Sequence, residues 1–358
     1  MSRVINNQKR KIMNNKSGTI YVIGEKEDDS NSHTLFYKCG IVRDGTDRDS
    51  HIRLLEHQTG NPRKLVVVET INAPFVEYVE TSIHYLWARK RVRGEWFQLL
   101  PKEVYMLIDS IKEIAKQVKF YGDDFNQAEI LKNRISSGEK VPPSSESQYW
   151  YDQYNNFKFV KDTCNEILER YDSFLLNAIK KGVDVSGMAK IQVRAAPRVF
   201  DDKLFASRFP DIFKRYSKEI NEPKGTFRLS PLKDGITDLD IGPAQVSIIT
   251  DMNSALITAD HSVENGFWLH EKHLAVLEIQ KYAEMKCEVA NAKLRVLTGE
   301  SDGIIGFCSW KREMISKIVF DRHQLQKDYP SEYDSCVSQG NDSEALIVQP
   351  MRAEKVVK

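Results

Sequence analysis

The first two apolar runs of the chain carry one tyrosine and one lysine in positions that favour phosphate chemistry. Tyr21 lies in GTIYVIG at residues 18–24, and Lys38 opens KCGIV at residues 38–42. A structural interpretation is a hairpin that exposes both side chains. A chemical interpretation is that the phenol and the ammonium group face the same phosphate. The types and spacing of the other polar residues in this region distinguish the structural interpretation from the chemical one.

These residues, taken in order with those that follow, resemble the GIY-YIG nucleases. Gly18–Tyr21 matches the GIY signature, and Lys38–Gly40 stands where YIG belongs. Arg53, with His57 one helical turn later, matches the Arg-x-x-x-His pattern of the first helix of that family. Glu80 lies on the second predicted helix, where the family keeps its metal-binding glutamate. The combination of motifs is specific, whereas each motif alone would be weak.

Three further segments, HQTGNP, VETSIH and GEWF, resemble one branch of that superfamily, the T5orf172 (Mug113-like) domain. This branch commonly has a lysine where the second tyrosine of the name would stand. The resemblance covers about residues 18–100. It implies an α/β (α+β) fold of GIY-YIG type, with a small central mixed sheet flanked by helices. It also implies a metal-dependent endonuclease that hydrolyses phosphodiester bonds in DNA, in phage or mobile-element DNA processing or in phage–host conflict.

The resemblance gives five residues roles that phosphodiester hydrolysis requires. Tyr21 would orient or deprotonate the attacking water, and Lys38 would favour its phenolate, because the usual tyrosine pKa of ~10 is too high for an efficient base. Arg53 would hold the scissile phosphate with its planar fork. Glu80 would hold one Mg²⁺ or Mn²⁺ ion, which would stabilise the leaving oxygen. His57 would bind phosphate or assist proton transfer.

The same residues have structural interpretations. Tyr21 fits the edge of a hydrophobic core, and Arg53 with His57 fits the solvated face of an amphipathic helix. Arg48 competes with Arg53 for the phosphate, but it lacks the helix context and the following histidine. Without its companions, the tyrosine alone would favour the structural interpretation.

Two more polar residues lie near the predicted site. Glu95 in GEWF is interpreted as structural rather than catalytic, because the tryptophan and phenylalanine that follow it are typical core anchors. His84 stands one helical turn after Glu80 and is a candidate to support the metal site. Helical spacing alone does not establish that role.

Two basic clusters are candidates for contacts with the DNA backbone. Lys90, Arg91 and Arg93 form the first cluster, just before GEWF, and Lys311 with Arg312 forms the second. The alternative for each is an ordinary solvated surface. A contact with phosphates would make the affinity fall steeply with salt concentration.

Hydrophobic periodicity and turn residues predict four parts of the chain. Residues 1–17 are expected to form a disordered basic tail, and residues 18–120 a domain with the order β-β-α-β-α-(β)-α. A Pro/Ser-rich linker is predicted at 121–150. Residues 151–358 are expected to be mainly helical, a DNA-targeting or interaction region.

The second half contains two related passages, in units at about residues 165–220 and 270–337. Phe200-Asp201 and Phe320-Asp321 are followed at the same distance by Pro210 and Pro330, which predicts an internal duplication. Segments 192–216 and 297–333 loosely resemble the helical C-terminal region of YqaJ-type phage exonucleases. The catalytic core of those enzymes is absent, so no activity is inferred from this resemblance.

The composition excludes several classes of protein. Of the 358 residues, 41% are hydrophobic and 29% charged, which is typical of a globular protein. No apolar run is long enough for a membrane span, and the N-terminus has no apolar signal segment, so a cytoplasmic location is expected. The five cysteines are scattered, which predicts reduced thiols and no zinc site.

The partner expected from these features is DNA, because the first 100 residues hold 16 Lys and Arg against 12 Asp and Glu. The alternative function is a catalytically inactive module of the same fold that binds DNA or protein. A third interpretation is an interaction protein built around the helical region, with a protein partner there. The sequence leaves the oligomeric state and the choice between DNA and RNA open.

Overall fold

A computed structural model describes residues 16–27, 33–93, 95–185, 188–232, 236, 239–259 and 263–348. Most of the predicted basic tail, residues 1–15, lies outside these ranges. Among the helices in the described part of the chain, none has the length and hydropathy needed to cross a bilayer. All five cysteines lie in the described ranges, where they are buried and free of disulfides.

The N-terminal region is built on one five-stranded sheet. Its strands are β1 (Gly18–Lys26), β2 (His33–Arg43), β3 (Leu65–Ala73), β4 (Arg91–Arg93) and β5 (Trp96–Gln98). The strand order is β3-β1-β2-β5-β4, and all four neighbouring pairs are antiparallel. The predicted mixed sheet is therefore wrong: β1 and β2 form a hairpin, and each later strand runs opposite to the neighbour that it joins.

Three helices complete this region and give the predicted order of elements. They are α1 (Ser50–Gln58), α2 (Val76–Leu86) and α3 (Pro101–Lys132). The side chain of Asp49 caps α1 by accepting a hydrogen bond from the amide of Ile52. Helix α2 presents Val79 and Ile83 to the core between the sheet and α3, as its apolar spacing predicts.

The C-terminal region is mainly helical, as predicted. Its helices are α4 (Ser145–Lys180), α5 (Asp202–Arg208), α6 (Pro210–Arg215), α7 (Pro243–Thr258), α8 (Val263–Thr298), α9 (Arg322–Asp328) and α10 (Pro330–Asp334). It also contains strands that the sequence did not reveal: β6 (Lys140–Val141), β7 (Ala189–Arg194), β8 (Arg198–Phe200), β9 (Ser217–Lys224), β10 (Arg228–Leu229), β11 (Gly303–Ile304), β12 (Cys308–Ser309), β13 (Glu313–Phe320), β14 (Val337–Gln339) and β15 (Ser343–Val348). Six of these strands pair as two-stranded ribbons.

The segment predicted as a linker, residues 121–150, is largely ordered secondary structure. Helix α3 continues through Lys132 and α4 begins at Ser145. Between them, β6 pairs with β11 near the far end of the chain. The Pro/Ser-rich composition marks only the short connection between two helices. The cap of α4 explains part of the serine content, because Ser144 and Ser147 exchange hydrogen bonds there.

The two related passages form matching elements. β8–α5–α6–β9 and β13–α9–α10–β14 share the order strand, helix, helix, strand. Asp201 and Asp321 each cap the first helix of their passage, and Pro210 and Pro330 each begin the second. The passages pair crosswise, β8 with β14 and β9 with β13, around one aromatic cluster. A common origin by duplication stays a prediction.

Helix α8 belongs to the core of the N-terminal sheet as well as to the C-terminal region. Met285 and Val289 on α8 lie in the same buried cluster as the residues of α2 and α3. The ring of Tyr282 stacks on Tyr85 of α2 at a centroid distance of 3.8 Å. Because α2 is covered by α8, the two regions share one continuous interior.

The second buried cluster, between α4, α7 and α8, contains two histidines. Tyr171 on α4 hydrogen bonds to Nδ1 of His270, and the ring of His273 lies 4.5 Å from that of Tyr171. Burial, together with the neighbouring charges of His270, Lys281 and Arg91, lowers the pKa of His273 to about 3. His273 is therefore neutral in the folded protein at physiological pH.

We expect the N-terminal region to depend on α8 for stability. A fragment of residues 16–135 lacks Met285 and Val289, each worth about 1.5–3 kcal/mol of burial, against a total stability of about 5–15 kcal/mol for a domain. The fragment should unfold without a sharp thermal transition and should bind a hydrophobic dye. Circular dichroism of the fragment and of the full chain measures this, and a cooperative transition in the fragment close to that of the full chain would contradict it.

The stability of the protein should fall in acid because His273 resists protonation when folded. The unfolded chain takes up a proton below pH ~6.5, whereas folded His273 does so only near its lowered pKa. The free energy of unfolding therefore loses up to about 1.4 kcal/mol per pH unit between pH ~6.5 and ~3. Urea unfolding of the wild type and of His273→Gln across this range isolates the effect. Equal pH slopes for the two proteins would contradict it.

Candidate active site

A cavity of about 240 Å³ lies at the open edge of strand β2. Strand β5 pairs only with Phe36–Lys38 of β2, so within the described residues this edge of Gly40–Arg43 has no strand beside it. The walls come from β2, α1, α2 and the turns beside them. The lining residues are Ile41, Val42, Arg43, Thr46, Arg48, Arg53, Glu80 and Glu95.

The tyrosine of the GIY motif is fixed in this corner by the glycine opposite it. Tyr21 on β1 is paired with Gly40 on β2, and its side chain is fully buried. A Cβ atom at residue 40 would lie 2.4 Å from the phenol oxygen of Tyr21, which no side chain tolerates. The pairing register of the hairpin therefore brings the glycine of the second motif under the tyrosine of the first.

Helix α1 brings two polar side chains to the phenol of Tyr21. Arg53 Nε donates a hydrogen bond to the phenol oxygen over 3.4 Å. The phenol oxygen also forms a hydrogen bond with Nε2 of His57 over 3.3 Å, and the tautomer of the imidazole sets which of the two groups donates. Arg53 and His57 are one turn apart on α1, so both side chains project from the same face of the helix.

The electrostatic state of this triplet differs from the one expected. Burial raises the pKa of the Tyr21 phenol above its usual value, against the opposing effect of Arg53. Burial, followed by the charges of Lys38 and Arg53, lowers the pKa of His57 to about 4. At neutral pH the triplet is therefore a phenol between a guanidinium donor and a neutral imidazole.

Lys38 lies in the interior of the site, paired with Glu95. The ammonium group, on a side chain that is 7% exposed, forms an ion pair with the carboxylate of Glu95. Burial opposes ionisation of Glu95, but Lys38 outweighs it and lowers the pKa of Glu95 below its usual value. Among the described contacts Arg53 is the cation beside the phenol of Tyr21 and Lys38 is paired with Glu95, so the effect expected of Lys38 on the phenol stays a prediction.

Glu80 reaches the cavity from α2, whose start is tightly fixed. Phe75 precedes α2 in the left-handed conformation, with φ 51°, which costs a non-glycine residue energy. Its ring lies against Gly122 of α3, where a Cβ atom would come within 2.4 Å of the ring. Burial, then the charges of Glu95 and Glu278, raise the pKa of Glu80 to about 8.

The two carboxylates of the cavity fit a divalent cation. Glu80 and Glu95 both line it, and the repulsion that raises the pKa of Glu80 would be relieved by a cation between them. Within the described residues, no group of three or more His, Cys, Asp or Glu side chains is arranged to hold a metal ion. The donor set therefore suits Mg²⁺ or Mn²⁺, which bind through one or two carboxylates and keep most of their water.

Three arginines surround the same cavity. Arg48 and Arg53 both form ion pairs with Glu56 of α1, and Arg43 pairs with Glu77 of α2. Arg48 had been considered a competitor of Arg53, and both line the cavity. Of these two arginines, only Arg53 also contacts Tyr21. Arg48 and Arg53 therefore lie on different parts of the cavity wall.

The sequence did not identify Glu95 and Arg43 as residues of the cavity, which both of them line. Glu95 was interpreted as structural, and Arg43 was not considered. The pairing of Lys38 with Trp96 across β2 and β5 places Glu95 beside Lys38. That register was not readable from the short strand β5, whereas the position of Arg43 at the end of β2 was an available signal.

Two of the residues predicted to contact DNA lie in the interior. Arg91 forms a buried ion pair with Glu278 of α8, over 3.1 Å. Arg312 is fully buried, stacks on the ring of Trp310 and donates to a backbone carbonyl. Arg312 is fully buried, and the Arg91 side chain is 11% exposed and paired with Glu278, so nothing in this structure supports the predicted DNA contacts of these two residues.

The other three predicted DNA contacts remain predictions. Lys90 pairs with Glu103 and is half exposed, and Lys311 is exposed and pairs with its neighbour Glu313. The side chain of Arg93 lies outside the described part of the structure; its backbone belongs to β4.

Comparison with known proteins bears on the same part of the chain. The model of the T5orf172 domain matches residues 18–115, which hold the whole sheet, α1, α2 and the first half of α3. T5orf172 domains are nuclease-like, DNA-binding domains. No curated protein and no solved structure matches the chain. The comparisons thus identify a T5orf172 domain in the N-terminal region that contains the cavity.

Substitution of Gly40 by alanine should displace Tyr21. The added methyl group would overlap the phenol, so the ring must leave its contacts with Arg53 and His57. We expect a loss of stability of about 1–3 kcal/mol from overpacking, measured by urea unfolding. Gly60→Ala is the matched control, because that position on the surface has open space. Equal stability of the two variants would contradict the contact.

Proposed function

We propose that the N-terminal region is a metal-dependent DNA endonuclease of GIY-YIG type, from a phage or mobile element. One observation carries the proposal: Arg53, which lines the cavity together with Glu80 and Glu95, hydrogen bonds to the phenol of Tyr21, and that phenol hydrogen bonds to His57. Cations for a phosphate, a proton-transfer pair and a carboxylate pair are the parts that phosphodiester hydrolysis requires. The T5orf172 match to residues 18–115 supports the same chemistry.

In this proposal the side chains divide the work as follows. The planar fork of Arg53 binds the scissile phosphate and neutralises charge that develops on it. The oxygen of Tyr21 orients the attacking water, and His57 accepts the phenol proton as the phenol takes one from the water. His57 can take part in this step because its lowered pKa keeps the imidazole neutral at physiological pH, and the tautomer with the proton on Nδ1 leaves Nε2 free to accept. Lys38 holds Glu95 in its ionised state.

The divalent ion would be held by Glu80 and Glu95. When bound, it supplies a positive charge that stabilises the leaving oxygen and lowers the barrier to hydrolysis. The rest of the cavity contributes Arg43 and Arg48, which we assign to the phosphates next to the scissile one. Their ion pairs with Glu77 and Glu56 are on the surface and cost little to exchange for DNA.

A second function, a binding module without turnover, is favoured by one observation. Lys38, which replaces the second tyrosine of the family name, is neutralised by Glu95 and contacts neither Tyr21 nor Arg53 in the described hydrogen bonds. A site without that tyrosine would still bind a DNA backbone through Arg43, Arg48 and Arg53. The helical region would then serve as the targeting or interaction part.

Cleavage of supercoiled and linear DNA with Mg²⁺ or Mn²⁺ tests the endonuclease. We expect nicking that EDTA abolishes and that Glu80→Gln reduces at least about 100-fold, because the ion loses its carboxylate. Glu113→Gln is the matched control, an exposed glutamate on α3 whose contacts are with Lys116 and Gln117 of the same helix. Agarose electrophoresis over time gives the rates.

The outcomes separate the two functions. Nicking that survives EDTA or Glu80→Gln contradicts the proposed site. If the wild type is inert on duplex, single-stranded and branched DNA but retains DNA in a salt-dependent manner, the binding module replaces the endonuclease.

A further inference from the structure

A buried glutamate of the C-terminal region lies behind the candidate active site. Glu278 is on α8, its side chain is 4% exposed, and it faces three cationic or titratable groups. Its carboxylate is 3.1 Å from Nη1 of Arg91, 2.8 Å from Nζ of Lys281 and 3.8 Å from Nδ1 of His84. Burial opposes its ionisation, but Lys281 and Arg91 lower the pKa of Glu278 to about 2.

One neighbour of Glu278, His84, lies on the helix that carries Glu80. Burial lowers the pKa of His84, so the imidazole is neutral at physiological pH, and its Nδ1 has no proton to donate to Glu278. His84 stands one turn after Glu80 on α2 and is itself buried. Its Nε2 donates a hydrogen bond to the carbonyl of Cys39, over 3.3 Å. Cys39 lies between Lys38 and Gly40, so this bond fixes α2 against the part of β2 that lines the site.

The other partner leads to the hairpin that carries Glu95. Arg91 is the first residue of β4, and the turn between β4 and β5 contains Glu95. This hairpin is short and lies at the end of the sheet, with β4 as the outermost strand. Two strands of three residues hold a position poorly by themselves. The buried ion pair of Arg91 therefore supplies an anchor that the sheet lacks at this edge.

We propose that Glu278 is a positioning residue of the candidate active site: through Arg91 it ties the β4–β5 hairpin, which carries Glu95, to helix α8, against which α2, which carries Glu80, also packs. The separation of the two carboxylates is thereby set by the C-terminal region. The kinetic part of this inference rests on the endonuclease proposed above, whereas the anchoring part does not. The T5orf172 match, at 18–115, ends long before Glu278.

Hydrogen–deuterium exchange and cleavage kinetics of the full chain test the proposal together. Glu278→Gln keeps the size of the side chain and removes its charge. We expect amide exchange in residues 91–98 to rise about tenfold or more, as the anchor is lost. We expect kcat to fall about 10–100-fold, with KM and the Kd for DNA in Ca²⁺ changed less than about twofold. Glu278→Asp keeps the charge and should restore part of the protection at residues 91–98 and part of kcat.

The matched control is Glu284→Gln. Glu284 lies on the same helix and accepts a hydrogen bond from Gln280 of α8 itself. The Glu284→Gln variant should show the same amide exchange at residues 91–98 and the same kcat as the wild type. If Glu278→Gln instead destabilised the whole protein, exchange would rise at all amides. The map of exchange along the chain distinguishes that result from a rise confined to residues 91–98.

Two single-arm variants keep the proposal testable if Glu278→Gln fails to fold. Arg91→Gln should raise exchange in residues 91–98 and at the amide of Cys39, which donates to the carbonyl of Glu95 in that hairpin, whereas His84→Gln should leave residues 91–98 protected. Exchange at residues 91–98 that stays as in the wild type in Glu278→Gln, or in Arg91→Gln, overturns the proposal. If the wild type proves inert but the exchange pattern appears, the endonuclease fails and the anchoring role stands.

Discussion

The organisation of this protein depends on the burial of helix α2 between the sheet and α8. α2 carries Glu80 and His84 and presents Val79 and Ile83 to the core, so both faces of the helix are in contact with protein. A helix covered on both sides cannot rotate or slide without breaking close packing. This constraint fixes Glu80 at the cavity, and it explains why a helix from the far end of the chain belongs to the N-terminal core.

Charged groups in this interior form ion pairs. Lys38, which is 7% exposed, pairs with Glu95, and Glu278, which is 4% exposed, pairs with Arg91 and Lys281. Such pairs add little net stability, because desolvation offsets their attraction, but removing one partner is costly. They therefore specify which elements meet. In this protein they join the edge hairpin to β2 on one side and to α8 on the other.

The site combines charges whose states are set by neighbours. Glu80 is held with a raised pKa beside the ionised Glu95, and His57 is held neutral beside two cations. Opposite shifts within one small cavity are typical of a site that binds a cation and moves a proton. The arginines around it add a positive rim that matches a phosphate backbone. The two-stranded ribbons of the C-terminal region and the aromatic cluster between them contribute no lining residue to this cavity.

The sequence by itself determined the helical character of the C-terminal region and the order of elements in the N-terminal region, except that two strands, β4 and β5, stand where one was predicted. It also singled out Tyr21, Arg53, His57 and Glu80 as candidates. Those features are local or follow from spacing, which a linear pattern contains. Only the tertiary structure decided that Arg53, rather than Lys38, contacts the phenol, that Glu95 belongs to the cavity, and that Arg91 and Arg312 are buried. The sheet also proved antiparallel, and the supposed linker largely helical. The physical reason is common to all of these: strand register and the packing of α8 join residues up to about 190 positions apart in the sequence, and no local pattern records which charges then meet.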